Sequence, residues 1–359
     1  MSLVHELETE RKNIKTDSYS MSFGEIINLY NEGDLKLDPA YQRLFRWDDE
    51  QKSKFIESIL IGIPIPEVFV AQKQDGKWSV VDGVQRLSTL LQLTGDLPGK
   101  EPLVLTATRY LPSLEGETWE TLPVDIKRII RRSKLNINII LTENSIQSQY
   151  ELFQRLNTGG IHLEPQEIRN CLIIMLDEGF FNALNKSKKK DEFIKCINLT
   201  ESKLEIEYHM ELIVRYLIAK INITDYSKYQ LSKINIDYFI DAEVTNLIQS
   251  EEIDLDAEIK IFERTIDVLY SKLGDNAFKK YDDELGLFSG GFSLSCFEAI
   301  LPGLASNIER YECMDDHIFK SKIISIYKEE DFLEATNRGA RVINRFKKLS
   351  ELSLRWFNE

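Results

Sequence analysis

Apolar residues recur in two rhythms along this chain, and the change from one to the other divides it. Up to about residue 160, stretches of strand character alternate with helical ones. Leu135–Leu141 (Leu-Asn-Ile-Asn-Ile-Ile-Leu) alternates apolar and polar positions as a half-buried strand does, and Leu103–Thr108 and Val68–Gln72 read as further strands. Asp75-Gly76 predicts a hairpin turn into a strand that ends at Val81. Leu35–Leu37 reads as a short strand. Phe23–Tyr30, the stretch after Asp48, Val124–Ser133 and Ser145–Leu156 carry apolar positions at helical spacing. Asp48 with Gln51 makes a capping-box start, Gly62 stops that helix, and Pro64 and Pro66 prevent its resumption. Residues 1–20 are polar and predict a helical or loose arm. Pro165 opens another helix. Beyond about residue 177 the pattern is almost wholly helical, clearest over Tyr208–Ile221, Asp256–Leu273 and Leu294–Leu304. The expected fold class is α+β, with a mixed-sheet domain over residues 1–176 and an all-α domain over 177–359.

One stretch combines these signals with chemistry. Trp78-Ser-Val-Val-Asp82-Gly83-Val84-Gln85-Arg86-Leu-Ser-Thr-Leu-Leu reads as strand, tight turn and helix, with Val84, Leu87, Leu90 and Leu91 on one helix face. The turn gathers a carboxylate, a bare backbone and a guanidinium around the first turn of a helix. Unpaired N–H groups and the positive end of the helix dipole suit that place to an anion. The guanidinium fork of Arg86 suits phosphate oxygens. A phosphate-bearing ligand is therefore expected here, against the plainer alternative of a common Asp-Gly turn followed by a solvated arginine.

Composition narrows the classes. The chain has 359 residues, 43% hydrophobic and 29% charged, as soluble globular proteins do. No apolar run approaches the roughly 18 residues a membrane helix needs, and the charged start lacks a signal core, so a cytoplasmic protein without membrane contact is expected. The net charge of −14 repels nucleic acid on average, so any DNA contact requires a local basic patch. Lys127–Lys134 and Lys186-Ser-Lys-Lys-Lys190, the latter read as a basic loop, are the two candidates, although solvated surface explains each. Asp241–Glu284 holds 13 carboxylates against 5 Lys and Arg. Cysteines 171, 196, 296 and 313 form no CxxC pair and predict buried free thiols. The 4 histidines and 4 cysteines form no set of four at zinc-ligand spacing, which argues against zinc.

Two more segments carry candidate binding groups. Tyr41-Gln42-Arg43 with Arg46 and Trp47 sets two arginines beside two aromatics, suited to phosphate and base stacking or to plugging a core. Phe153-Gln-Arg155-Leu-Asn157-Thr-Gly-Gly160 has the form of a helix C-cap. Taken in order with Ser58-Ile-Leu-Ile-Gly62-Ile-Pro64-Ile-Pro66 and Val81–Leu90, these blocks resemble the N-terminal domain of GmrSD-type restriction systems, over roughly residues 20–175. That family is related to the ParB and sulfiredoxin superfamily. The resemblance implies a ParB-like, nucleoside-triphosphate-binding and -hydrolysing protein of bacterial DNA restriction and anti-phage defence, working with Mg²⁺. It assigns catalytic roles to Asp82, Gln85 and Arg86, nucleotide contacts to Tyr41, Gln42, Arg43, Arg46, Gly83 and Asn157, and the metal to Asp82. A separate nuclease subunit and DNA are the implied partners.

The sequence departs from the family twice. Val84 stands where the family's Asp-Gly-Gln-Gln-Arg motif has its first Gln, so the residues support binding more directly than hydrolysis. The C-terminal half has no His-Asn-His cluster, so no fused HNH nuclease is expected. A non-catalytic nucleotide or DNA sensor acting on a partner nuclease is the alternative function, and an intrinsic nuclease ranks below both. Sulfiredoxin chemistry is excluded because Val84 and Gln85 occupy the places of that branch's Cys and His, leaving no thiolate nucleophile. Arg338, Arg341 and Arg345 share a stripe that could reach back to the site.

Overall fold

The computed structural model describes residues 3, 5, 16–37, 47–73, 75–141, 164–229, 234–337 and 341–359 (for Val81 and Glu167 the backbone only). Contacts divide the chain into two units, Met1–His162 and Leu163–Glu359.

In the first unit the elements run β1 (Thr16–Ser22), α1 (Phe23–Glu32), β2 (Leu35–Lys36), α2 (Asp49–Ile61), β3 (Val68–Gln72), β4 (Trp78–Asp82), α3 (Val84–Thr94), α4 (Val124–Arg132) and β5 (Lys134–Ile140). The five strands form one mixed sheet in the order β1-β5-β3-β4-β2. β3 is parallel to β5 and antiparallel to β4, its hairpin partner. The expected caps are present. Asp48 accepts from the Gln51 N–H while Gln51 reaches back to Asp48, and Gly62 closes α2 in the left-handed region. Leu135, Ile137, Ile139 and Ile140 of β5 are buried, as are Val68, Val70 and Val80 and, on α3, Leu87, Leu90 and Leu91. Burial of that apolar face fixes how α3 leaves the turn at its start.

Two sequence expectations change here. The polar arm ends in a strand, β1, which among the described residues pairs with β5 alone and keeps Tyr19 exposed. An edge strand needs no alternating apolar face, so periodicity does not reveal it. Leu103–Thr108 is not a strand, although Leu103 and Leu105 are buried. Its N–H groups go elsewhere: Leu103 to the Gln92 carbonyl, Leu105 to that of Glu117, and Thr106 to the Ser53 hydroxyl.

The second unit comprises α5 (Pro165–Leu176), α6 (Glu178–Ser187), α7 (Asp191–Ile197), α8 (Glu201–Glu205), α9 (Tyr208–Ile221), α10 (Ile236–Gln249), α11 (Leu255–Leu273), β6 (Lys280–Asp282), β7 (Leu287–Ser289), α12 (Leu294–Ser306), α13 (Ile308–Glu312), α14 (Asp316–Ile326), α15 (Glu330–Thr336) and α16 (Val342–Asn358). The β6–β7 hairpin is its one departure from an all-α reading among the described residues. The division falls before α5 rather than after residue 176, because α5 packs on α6 and α10. At Gly303 an added Cβ would lie 1.9 Å from the Ser353 carbonyl oxygen, so α12 and α16 meet backbone to backbone. Cys171, Cys196 and Cys296 are buried as expected, with burial pushing the Cys196 thiol up to about 12, but Cys313 is exposed.

A charged network runs through this helical core. The fully buried Arg169 on α5 donates from Nε to Asp241 at 2.7 Å and from Nη1 to Gln166. Glu211 and Asp237 each lie 3.7 Å from its terminal nitrogens. Glu211 also accepts from Arg215, which reaches Glu298 at 3.3 Å, and Arg345 approaches Glu298 from α16 at 3.4 Å. Burial raises the Glu298 carboxyl above its ordinary range, with Arg215 and Arg345 opposing, and burial raises Asp237 as well. A raised carboxyl binds its proton in the folded state at a pH where the unfolded chain has lost it. Its stabilisation is therefore complete below the unfolded value and is lost as pH rises through the folded one. Denaturant unfolding across mildly acid pH should show stability declining as pH rises through that window, and less steeply in Glu298→Gln. Equal slopes would show that Glu298 does not titrate there.

Candidate functional site

The site is built where β4 ends and α3 begins. Gly83 joins them at φ +94°, a left-handed conformation that L side chains adopt only with strain. A Cβ there would also stand 2.4 Å from Val68 Cγ2. The chain needs glycine at this point both to turn and to fit against β3. No side chain among the described residues caps α3, so its first N–H groups open toward the turn.

Asp82 and Arg86 face each other across that turn, with Arg86 Nη2 3.0 Å from Asp82 Oδ2. Arg86 Nη1 donates to two backbone carbonyls, Pro66 at 2.5 Å and Glu67 at 2.8 Å. Both terminal nitrogens are thus engaged by protein acceptors, and the Arg86 side chain is only 13% exposed against 36% for Asp82. Arg86 is a strut that ties α3 to the Pro64–Pro66 segment, where sequence reasoning expected a guanidinium directed at phosphate. The missing signal was the proline pair. It breaks α2 and leaves carbonyls free of any helix or ladder, which the guanidinium then collects. Gln85 accepts from the Trp47 N–H at 3.4 Å, and the Trp47 ring packs on Phe55. Trp47 is thus tied to the first turn of α3. Val84 is buried, its side chain in the core rather than at the turn. Tyr41, Gln42, Arg43, Arg46 and Asn157, and the helix expected over Ser145–Leu156, lie outside the described residues.

A strand ending in Asp-Gly, an uncapped helix and an arginine folded back onto the carboxylate therefore come together as one unit. Residues 23–174 match the family model described as GmrSD restriction endonuclease, N-terminal domain. The chain carries a GmrSD N-terminal domain. The matched domain is one of restriction systems. No curated protein and no solved structure matches the chain. The GmrSD match begins at the first residue of α1 and ends inside α5, so it takes in the start of the second unit.

Beyond the GmrSD turn, the expected basic patches fare differently. Lys186–Lys190 is not a free basic loop, since Lys186 and Ser187 end α6. Lys188 is buried against Glu207, and Lys190 pairs with Asp267 at 2.8 Å. The α4 cations stay largely exposed. Arg345 is engaged by Glu298, and Arg338 lies outside the described residues. Among the described residues no group of three or more His, Cys, Asp or Glu could hold a metal, and no helix is long and apolar enough to cross a membrane.

Proposed function

We propose that the Asp82–Arg86 turn of this restriction-system component binds the phosphates of a nucleoside triphosphate and promotes their hydrolysis. The observation that carries this reading is the uncapped first turn of α3, opened by a glycine where any side chain would be strained and flanked by a partly exposed carboxylate. Helix N–H groups and dipole favour phosphate at such a place. Gly83 leaves room for close approach. Arg86 holds the turn in shape, and Arg43 and Arg46 take over the neutralisation of the triphosphate. Gln85, Gln42 and Asn157 hydrogen-bond phosphate, ribose or water, and Tyr41 stacks on the base.

Asp82 fits a magnesium ion. Arg86 binds one of its oxygens, no donor among the described residues reaches the other, and Mg²⁺ commonly takes one or two protein carboxylates while keeping waters and phosphate oxygens. When bound, the ion would neutralise charge developing on the phosphates. Catalysis in this reading is positioning and electrostatic stabilisation. DNA and a separate nuclease subunit belong to the same proposal as partners of the system.

The second reading, a non-catalytic sensor, is favoured by Val84, whose buried side chain gives the turn no hydrogen-bonding group. Phosphate release measured with Mg²⁺, with and without DNA, separates the two. Turnover that falls by about a hundredfold or more in Asp82→Ala supports catalysis at this turn. Nucleotide binding without any turnover in the unaltered protein supports the sensor. Absence of both refutes the site.

A further inference from the structure

The outer face of α4 carries charge that the proposed nucleotide site does not use. Residues 127–134 contain five cations and no carboxylate, in a chain of net charge −14. Ile130 is fully buried and sets the inner side of the helix. Helical spacing then places Val124, Arg128 and Arg131 on one outward stripe, with Arg132, Asp125 and Ile129 beside it. Val124 is 69% exposed and Ile129 45%. Arg128 pairs with Asp125 yet stays half exposed, and Arg131 lies over Trp119, 5.4 Å from the ring centre. No carboxylate among the described residues pairs with Arg132. Guanidinium groups alternating with bare aliphatics have the composition of a protein interface, in which arginine is enriched.

The same chain holds a complement. The turn between α10 and α11 reads Glu251-Glu252-Ile253-Asp254-Leu255-Asp256. Its four carboxylate side chains are exposed, and no lysine or arginine among the described residues pairs with them, while Ile253 and Leu255 are half-buried between them. We propose that α4 of one copy docks on the 251–256 turn of a second copy, acid against guanidinium and aliphatic against aliphatic. The contact joins two different patches, so it is heterologous and either closes into a ring or continues as a chain. Nucleic acid is the competing partner for a basic helix. Phosphates would gain nothing from Val124 and Ile129 and would be repelled by Asp125 on the same face. Repulsion between two acidic chains is screened beyond about 8 Å at physiological salt, whereas the paired groups meet at contact distance.

Sedimentation of the full chain over a concentration series tests this. The expected result is concentration-dependent assembly whose association constant falls roughly tenfold or more on going from low to about 1 M salt, where the screening length is about 3 Å. Arg128→Glu with Arg131→Glu and Arg132→Glu should give a monomer. So should Glu251→Lys with Glu252→Lys and Asp256→Lys, a set that spares Asp254 because it caps α11. Circular dichroism establishes that both variants fold. Mixed in equal amounts, they should associate again, because each then offers the patch the other needs. A monomer at every concentration, assembly unaffected in either variant, or a mixture that stays apart overturns the proposal. Loss of duplex-DNA retention in the arginine variant at unchanged mass also overturns it and assigns the face to nucleic acid.

Discussion

Arg169→Met is expected to destabilise the second unit by about 3–5 kcal/mol, the usual cost of removing one partner from a buried ionic cluster. That is a large part of the roughly 5–15 kcal/mol that keeps a domain folded. The guanidinium is completely buried and pairs at 2.7 Å with Asp241, itself 5% exposed. Methionine keeps most of the volume but no charge. Asp241 would then be a buried anion, and Asp237 would lose the nearby positive charge that now opposes its raised pKa. Glu211 would suffer least, because Arg215 still binds it. Far-UV circular dichroism during denaturant unfolding reads the loss directly. Adding Asp241→Leu to Arg169→Met should recover much of it, since a buried pair replaced by apolar residues is often near neutral. A loss below about 1 kcal/mol in the single variant would show that surface-like screening reaches the cluster.

Arg169 also shows where the sequence is legible and where it is not. Pro165 announces α5. Nothing in the local pattern says that the arginine points inward, because its partners lie some 40 to 70 positions later, on α9 and α10. Periodicity reports which face is apolar, not which charge is matched inside that face. Local signals succeed where their cause is local. The Asp48–Gln51 box, Gly62, the alternation of β5 and the boundaries of α9 all follow from neighbours a few residues away. β1 and Leu103–Thr108 fail for the opposite reason. The first is made a strand only by β5, more than 100 residues on, and the second is drawn off by Gln92, Glu117 and Ser53.

At the candidate site the turn itself was readable. Asp82, Gly83 and the start of α3 stand as the Asp-Gly pair and the apolar spacing predict. The role of Arg86 was not, because its acceptors are backbone carbonyls, and carbonyls leave no trace in a residue pattern. The Ile63–Pro66 run carried the only hint. Two prolines in an extended stretch leave carbonyls that neither a helix nor a sheet satisfies. Arg86 therefore acts on the site through shape: it fixes the distance between the Pro66 loop and α3, and it holds one oxygen of Asp82.

Gly83→Ala should cost about 2–5 kcal/mol of stability and remove nucleotide affinity with it. Left-handed backbone carries a penalty of roughly 1–2 kcal/mol for a residue with a Cβ. The contact with Val68 Cγ2 adds an overpacking cost of about 1–3 kcal/mol, because Val68 is fully buried in β3 and has nowhere to move. Relaxation would push α3 off the end of β4, moving its N–H groups from the place where phosphate is to bind. Val68→Ala on this background separates the two costs. It relieves the overlap but not the backbone strain, so the pair should be less destabilised than the sum of the single variants. Calorimetry with nucleoside triphosphate and Mg²⁺ on the folded fraction tests the functional half. A Gly83→Ala protein that unfolds and binds like the unaltered chain would show that α3 tolerates a side chain at its mouth. Gly83 would then not be what leaves room for phosphate at this turn.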